Sequence, residues 1–124
     1  MVEWLFVAGG GALGAVSRHA VNLAVLNYIG SSLVGTFIAN VTGSLVLGLL
    51  VGFWETRPEV ASEFRLFVAV GFLGSYTTFS TLVVATTQGF DTGDVGRAFL
   101  NIGGSILIGL AAAFIGLLAG RSIA

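Results

Sequence analysis

Asn40 sits in the middle of an apolar run, with Thr36 one turn before it and Ser44 one turn after, so the three share a helical face. An amide and two hydroxyls in such a row can bond a neighbouring helix, or the amide NH2 can donate to an anion. Further along, Gly71, Gly74, Ser75, Tyr76, Thr77, Thr78, Phe79, Ser80 and Thr81 crowd the centre of another apolar stretch. Glycine weakens a helix and hydroxyls rebond freed backbone groups, so a local break is expected between Gly74 and Thr78. Carbonyls released by a break of this kind suit a small cation such as Na+. Asn101 and Ser105 repeat the one-turn spacing in the last apolar stretch and offer further donors. Arg18 is the only charged side chain deep within such a stretch, roughly 20 Å of helical rise beyond Trp4. It reads either as a side chain snorkelling to an interface, or as an anchor or anion-attracting charge at the mouth of a vestibule.

What the chain lacks narrows the chemistry further. It has no cysteine, which excludes disulfides, thiolate metal sites and thiol catalysis, and a single histidine, His19, around which no nucleophile, base and orienting group assemble. An enzyme is not expected. Five arginines, no lysine and six acids give a net charge of -1, so there is no basic field for nucleic acid.

The elements that must position these groups follow from hydropathy. Of 124 residues, 56% are hydrophobic and 9% charged, against about a quarter charged in a soluble domain. A bilayer core about 30 Å thick needs roughly 20 apolar residues per helix. Four stretches qualify, at about residues 4–28, 31–54, 65–90 and 97–120, and they make one all-α transmembrane domain over residues 1–124. Glu3 and Trp4 stand where a signal peptide would be basic, so the first stretch is expected to stay. Pro58, among Glu55, Arg57 and Glu59, marks the one sizeable loop. Trp4, Tyr28 and Trp54 fall near span ends, at headgroup level.

Lys and Arg bias normally fixes orientation, and here it nearly vanishes. Arg57, Arg65 and Arg121 lie on the side of the termini, Arg97 lies opposite, and Arg18 approaches that opposite face from inside its helix. Such a chain can insert both ways and pair antiparallel with a second copy; a topology fixed by a partner or by the weak bias itself is the alternative. Four helices of this length enclose little interior, so a polar pathway is more easily built between two subunits. Small residues four apart, such as Gly10 and Gly14, Ser44 and Gly48, and Gly116 and Gly120, predict close helix packing.

Three runs carry a resemblance to a known family: GGALGAVSR from Gly10 to Arg18, GTFIANVTGS from Gly35 to Ser44, and GFLGSYTTFST from Gly71 to Thr81. In these positions and in this order, the chain resembles the Fluc/CrcB fluoride channels from end to end. The resemblance implies a multi-pass protein of the plasma membrane, assembled as a dual-topology homodimer of antiparallel subunits. Two pores along the dimer interface would pass fluoride out of the cell, down its gradient. It further implies that Asn40 lines the pore and bonds fluoride, that the edge of the Phe79 ring faces the ion, and that Ser80, Thr81 and Ser105 add hydroxyl donors. Arg18 is matched as the vestibule charge. A structural Na+ is implied at the dimer centre, on the backbone carbonyls of Gly74 and Thr77 from both subunits.

One position departs from the pattern. The family shows a second phenylalanine three residues after the first, and this chain has Leu82. Either one ring per pore suffices, or another residue substitutes, or the chain is half of a heterodimer whose partner supplies the pair. A non-conducting assembly subunit is the corresponding alternative function. A small multidrug exporter shares the architecture but needs a carboxylate within the membrane, and every acid here lies at or outside a span end.

Overall fold

The computed structural model describes residues 1–123 and shows, among them, helices and no strands. Apolar runs without proline form α1 (Val2–Ile29) and α2 (Ser32–Thr56). Gly30 ends α1 in the left-handed region at φ 78°, its N–H bonded to the Leu26 carbonyl at 2.9 Å. Arg57, which precedes Pro58, cannot continue α2 and leaves the helical region. The third segment begins as α3 (Ser62–Arg65), widens into a π-helical stretch, Leu66–Leu73, and closes as α4 (Gly74–Tyr76). Thr77 and Thr78 are extended, and α5 (Phe79–Asp91) follows them. A turn at Gly93, φ 81°, leads into α6 (Val95–Ser122).

Three of these segments, residues 32–56, 62–91 and 95–122, are long and apolar enough to cross a membrane. The chain is a multi-pass membrane protein. α1 has the length, at 28 residues, and Arg18, His19 and its glycines dilute its hydropathy.

Two helix pairs make the core. α2 packs most extensively on α6, and the two run parallel: a Cβ added at Gly48 would meet the backbone of Ala113, and one at Gly52 that of Leu117. From the other side, Gly116 and Gly120 lie against Leu45 and Leu49. In lipid the hydrophobic effect does not drive helices together, so this backbone-to-backbone approach supplies the dispersion contact instead. Gly116→Ala is therefore expected to destabilise the fold by roughly 1–3 kcal/mol, as overpacking does. The loss is read as a lower thermal midpoint in detergent, with Gly96→Ala, where the added Cβ meets nothing, as the control. The second pair is α1 on the π-helical stretch, where Gly10 and Gly14 face the backbone of Phe67 and Phe72.

Beyond the apolar stretches, Arg121 Nε donates to Glu55 Oε2 at 2.7 Å and ties α6 to α2. This bond is the main cause that holds the Glu55 carboxyl below its ordinary value. A depressed carboxyl stabilises the folded state above its unfolded pKa and loses that contribution as pH falls through the folded pKa. Acidification through the carboxylate range should lower the thermal midpoint slightly more in the wild type than in Glu55→Gln. Both groups are half exposed, so the difference is small. At the neighbouring loop, the Arg65 guanidinium stacks 5.4 Å from the Trp54 ring and donates to the Arg57 carbonyl at 3.2 Å.

Candidate functional site

The site is organised by two residues of extended backbone. With Thr77 at ψ 155° and Thr78 at φ -150°, the helical ladder cannot pass through them. Thr78 then serves as the N-cap of α5: its hydroxyl accepts the Thr81 N–H at 3.3 Å and lies within 3.1 Å of the Thr81 hydroxyl and 3.3 Å of the Ser80 hydroxyl.

Asn40 replaces the missing ladder. Its Oδ1 accepts the Thr78 N–H at 2.7 Å and its Nδ2 donates to the Thr78 carbonyl at 3.0 Å. One side-chain amide thus satisfies both polar groups of one residue, as a neighbouring strand would. The second Nδ2 hydrogen has no partner among the described residues. Ser44 on the same face turns its hydroxyl back onto the Asn40 carbonyl at 2.7 Å, and Thr36 is buried. A second cross-link joins the same two segments two residues on, where the Thr42 and Tyr76 hydroxyls lie 3.0 Å apart.

Asn40, Ser44, Thr77, Thr78, Phe79 and Leu82 line one open cleft of about 230 Å³. Phe79, the first residue of α5, is 71% exposed and holds its ring at the surface of the single chain. Leu82, one turn on, is 4% exposed. The cleft therefore holds one aromatic ring, and at the position of the missing second ring an alkyl side chain is tucked against the protein.

The other candidate residues are placed nearby in different ways. Ser80 and Thr81 line an adjoining groove with Ser32 and Gln88, and reach the Asn40 cleft only through their bonds to Thr78. Ser105 is buried, its hydroxyl without a partner among the described residues. An added Cβ at Gly109 comes nearest Ser44, so in the parallel α2–α6 register Ser105, one turn earlier, falls level with Asn40. Asn101 Nδ2 lies 3.4 Å from the Thr86 hydroxyl, between α6 and α5. Arg18 is half-buried and aims Nη1 at the Thr77 carbonyl, 3.4 Å away. Gly74 is exposed, and the Thr78 N–H that a continuous helix would give its carbonyl goes to Asn40.

Thr78, which bonds Asn40 and lines the cleft, is the residue that sequence reasoning did not single out as part of the site. Its signal was present as a threonine three residues before Thr81 at a helix start. Chemically, the cleft offers an unused amide hydrogen and an exposed aromatic ring with no carboxylate, while the Ser44 and Thr77 hydroxyls that line it donate to the Asn40 and Leu73 carbonyls at 2.7 and 3.0 Å. All six acids of the chain are exposed, at helix ends and in loops. Such a surface can take an anion by donation, without a fixed positive charge that would trap it.

Known proteins match the stretch that holds these residues. The sequence profile of the family described as CrcB-like protein, Camphor Resistance (CrcB), matches residues 5–117. The chain is similar to a protein of Nitrobacter hamburgensis named fluoride-specific ion channel FluC 2, at 41% identity over 117 residues, 94% of each chain. A protein of Acidobacterium capsulatum named fluoride-specific ion channel FluC is 36% identical over 123 residues, 98% of each chain. One of Hyphomonas neptunium with the same name is 42% identical over 125 residues, covering 99% of this chain and 98% of its own.

Proposed function

The chain belongs to the CrcB-like protein family, and from that premise we propose that it forms a fluoride-selective channel that releases the ion passively from the cell across the plasma membrane. The observation that carries this is the Asn40 clasp on Thr78, which fixes one amide hydrogen and the Phe79 ring at a single cleft. Fluoride is small and strongly hydrated, and it gives up water only to several close donors. At the cleft Asn40 supplies the unused amide hydrogen and Phe79 the positive edge of its ring quadrupole, with the Ser80 and Thr81 hydroxyls in the adjoining groove and the Ser105 hydroxyl level with Asn40 on α6 as further donors before and after it. The acids, exposed at helix ends and in loops, leave no carboxylate for proton-coupled exchange, which supports conduction over antiport or multidrug export.

Four helices cross the membrane on this proposal, α1 included, and the extended Thr77–Thr78 pair interrupts the third. Two copies pair antiparallel. The near balance of arginines between the two sides supports dual insertion, and the outward Phe79 ring supports a pore completed by a second subunit. The alternative that Leu82 motivates is a heterodimer, in which a partner of the same family carries the second ring and completes the pore.

The family's structural Na+ can be tested against the residues present. The Gly74 carbonyl, deprived of the Thr78 N–H, is a suitable hard ligand, and among the described residues no group of three His, Asp or Glu competes as a metal site. The Thr77 carbonyl suits the ion once Arg18 has withdrawn. Bound there, Na+ would neutralise the carbonyl dipoles that two copies bring together at the dimer centre.

The experiment is fluoride efflux from liposomes holding only this purified chain, read with a fluoride electrode against a chloride gradient of the same size. Fast release of fluoride and none of chloride is expected. Well-folded dimers that release neither would point to the heteromeric or non-conducting subunit.

A further inference from the structure

In the single chain Arg18 is half-buried and turned toward the third segment. It lies on the face of α1 that packs on the third segment, where Gly11 meets Ser75, and two turns later its Nη1 faces the Thr77 carbonyl at 3.4 Å. That oxygen belongs to the carbonyl end of the helical run that stops at Tyr76. Carbonyls at such an end have lost their forward donors and gather partial negative charge. The diversion of the Thr78 N–H to Asn40 adds the Gly74 carbonyl to the group. In hydrocarbon these oxygens require a positive partner, and a guanidinium is one at every accessible pH.

We propose that Arg18 is the resident cation of the helix break in the unpaired chain, and that it competes with a bound monovalent cation for the Thr77 carbonyl. This rests on the paired, cation-bound assembly proposed above. A guanidinium within 3.4 Å of a carbonyl oxygen repels a second cation at that oxygen, and the low local dielectric strengthens the repulsion. Cation binding, pairing of two copies and withdrawal of Arg18 are then one coupled event. The contact is longer than an optimal N–H···O bond, as suits a group that must leave. Arg18 thereby protects the break while the chain is single, and weakens the cation site that the dimer uses.

The test follows the dimer fraction of the full chain in detergent, by size exclusion with light scattering. NaCl is exchanged for N-methylglucamine chloride at constant ionic strength. Arg18→Gln, which keeps a donor and removes the charge, is expected to lower the Na+ concentration at half-dimerisation by about ten-fold or more, a fraction of a single charge interaction near a protein surface. Arg18→Lys, which keeps the charge on a shorter side chain, should move it less and in the same direction, and decides the matter if the glutamine variant does not fold. Variants whose midpoints equal or exceed that of the wild type would overturn the competition while leaving the cation site standing. A wild-type dimer indifferent to Na+ would remove both.

Discussion

Phe79→Ile should reduce fluoride efflux from proteoliposomes about ten-fold or more while leaving the size-exclusion profile unchanged. The ring is 71% exposed on the single chain, so it contributes little to the folding of the subunit and its loss leaves no cavity there. What it offers the ion is the positive edge of its quadrupole, an interaction of roughly 1 kcal/mol beyond contact area in aromatic pairs and larger where a bare anion has no water. Isoleucine matches the bulk and has no such edge. With Leu82 one turn away, no second aromatic ring lines the cleft to take over. Normal flux through the isoleucine variant would remove the ring from the conduction path.

Asn40→Asp should have the larger effect, a loss of roughly a hundred-fold or more. The carboxylate still accepts the Thr78 N–H, but it sets a negative oxygen where Nδ2 now donates to the Thr78 carbonyl at 3.0 Å. Two like-signed oxygens at that distance push the clasp open. The same charge faces an arriving anion, and removing a hydrogen bond to a buried partner costs about 1–3 kcal/mol before the repulsion is counted. The two losses separate by assay: fluoride flux reports both, whereas hydrogen exchange of the Thr78 amide reports only the clasp. Flux at the wild-type level in Asn40→Asp would exclude the amide as a donor to the ion.

The helices were legible because charges and the lone proline punctuate long apolar runs, and each run had room for one long helix. The wide turns at Leu66–Leu73 were not. That run has the same composition whether its turns are α or π, and the choice falls to backbone contacts with Gly10 and Gly14, more than fifty residues away in sequence. Within the site, Asn40 stood out because an amide in an apolar run must be explained, but its partner did not, since nothing local pairs residue 40 with residue 78. The separation of Ser80 and Thr81 from the Phe79 cleft follows from elementary geometry once α5 is known to start at Phe79. Successive residues then turn about 100° each and cannot share its face. Knowledge of that start required the cap at Thr78. Leu82 was visible as a departure from the family pattern, whereas its burial depended on tertiary packing.

The parallel pairing of α2 with α6 also governs how the protein can be made. The groove formed at Gly48 and Gly52 accepts the backbone of Ala113 and Leu117, residues that leave the ribosome well after α2 itself. Until then α2 waits in the translocon or the bilayer with its widest contact surface unmet, and α1 with the π-helical stretch is the only one of the two core pairs that can form early. The α2–α6 pair thus closes after the α1 pair, and a nascent chain arrested before α6 emerges should remain a substrate for membrane proteases and insertases.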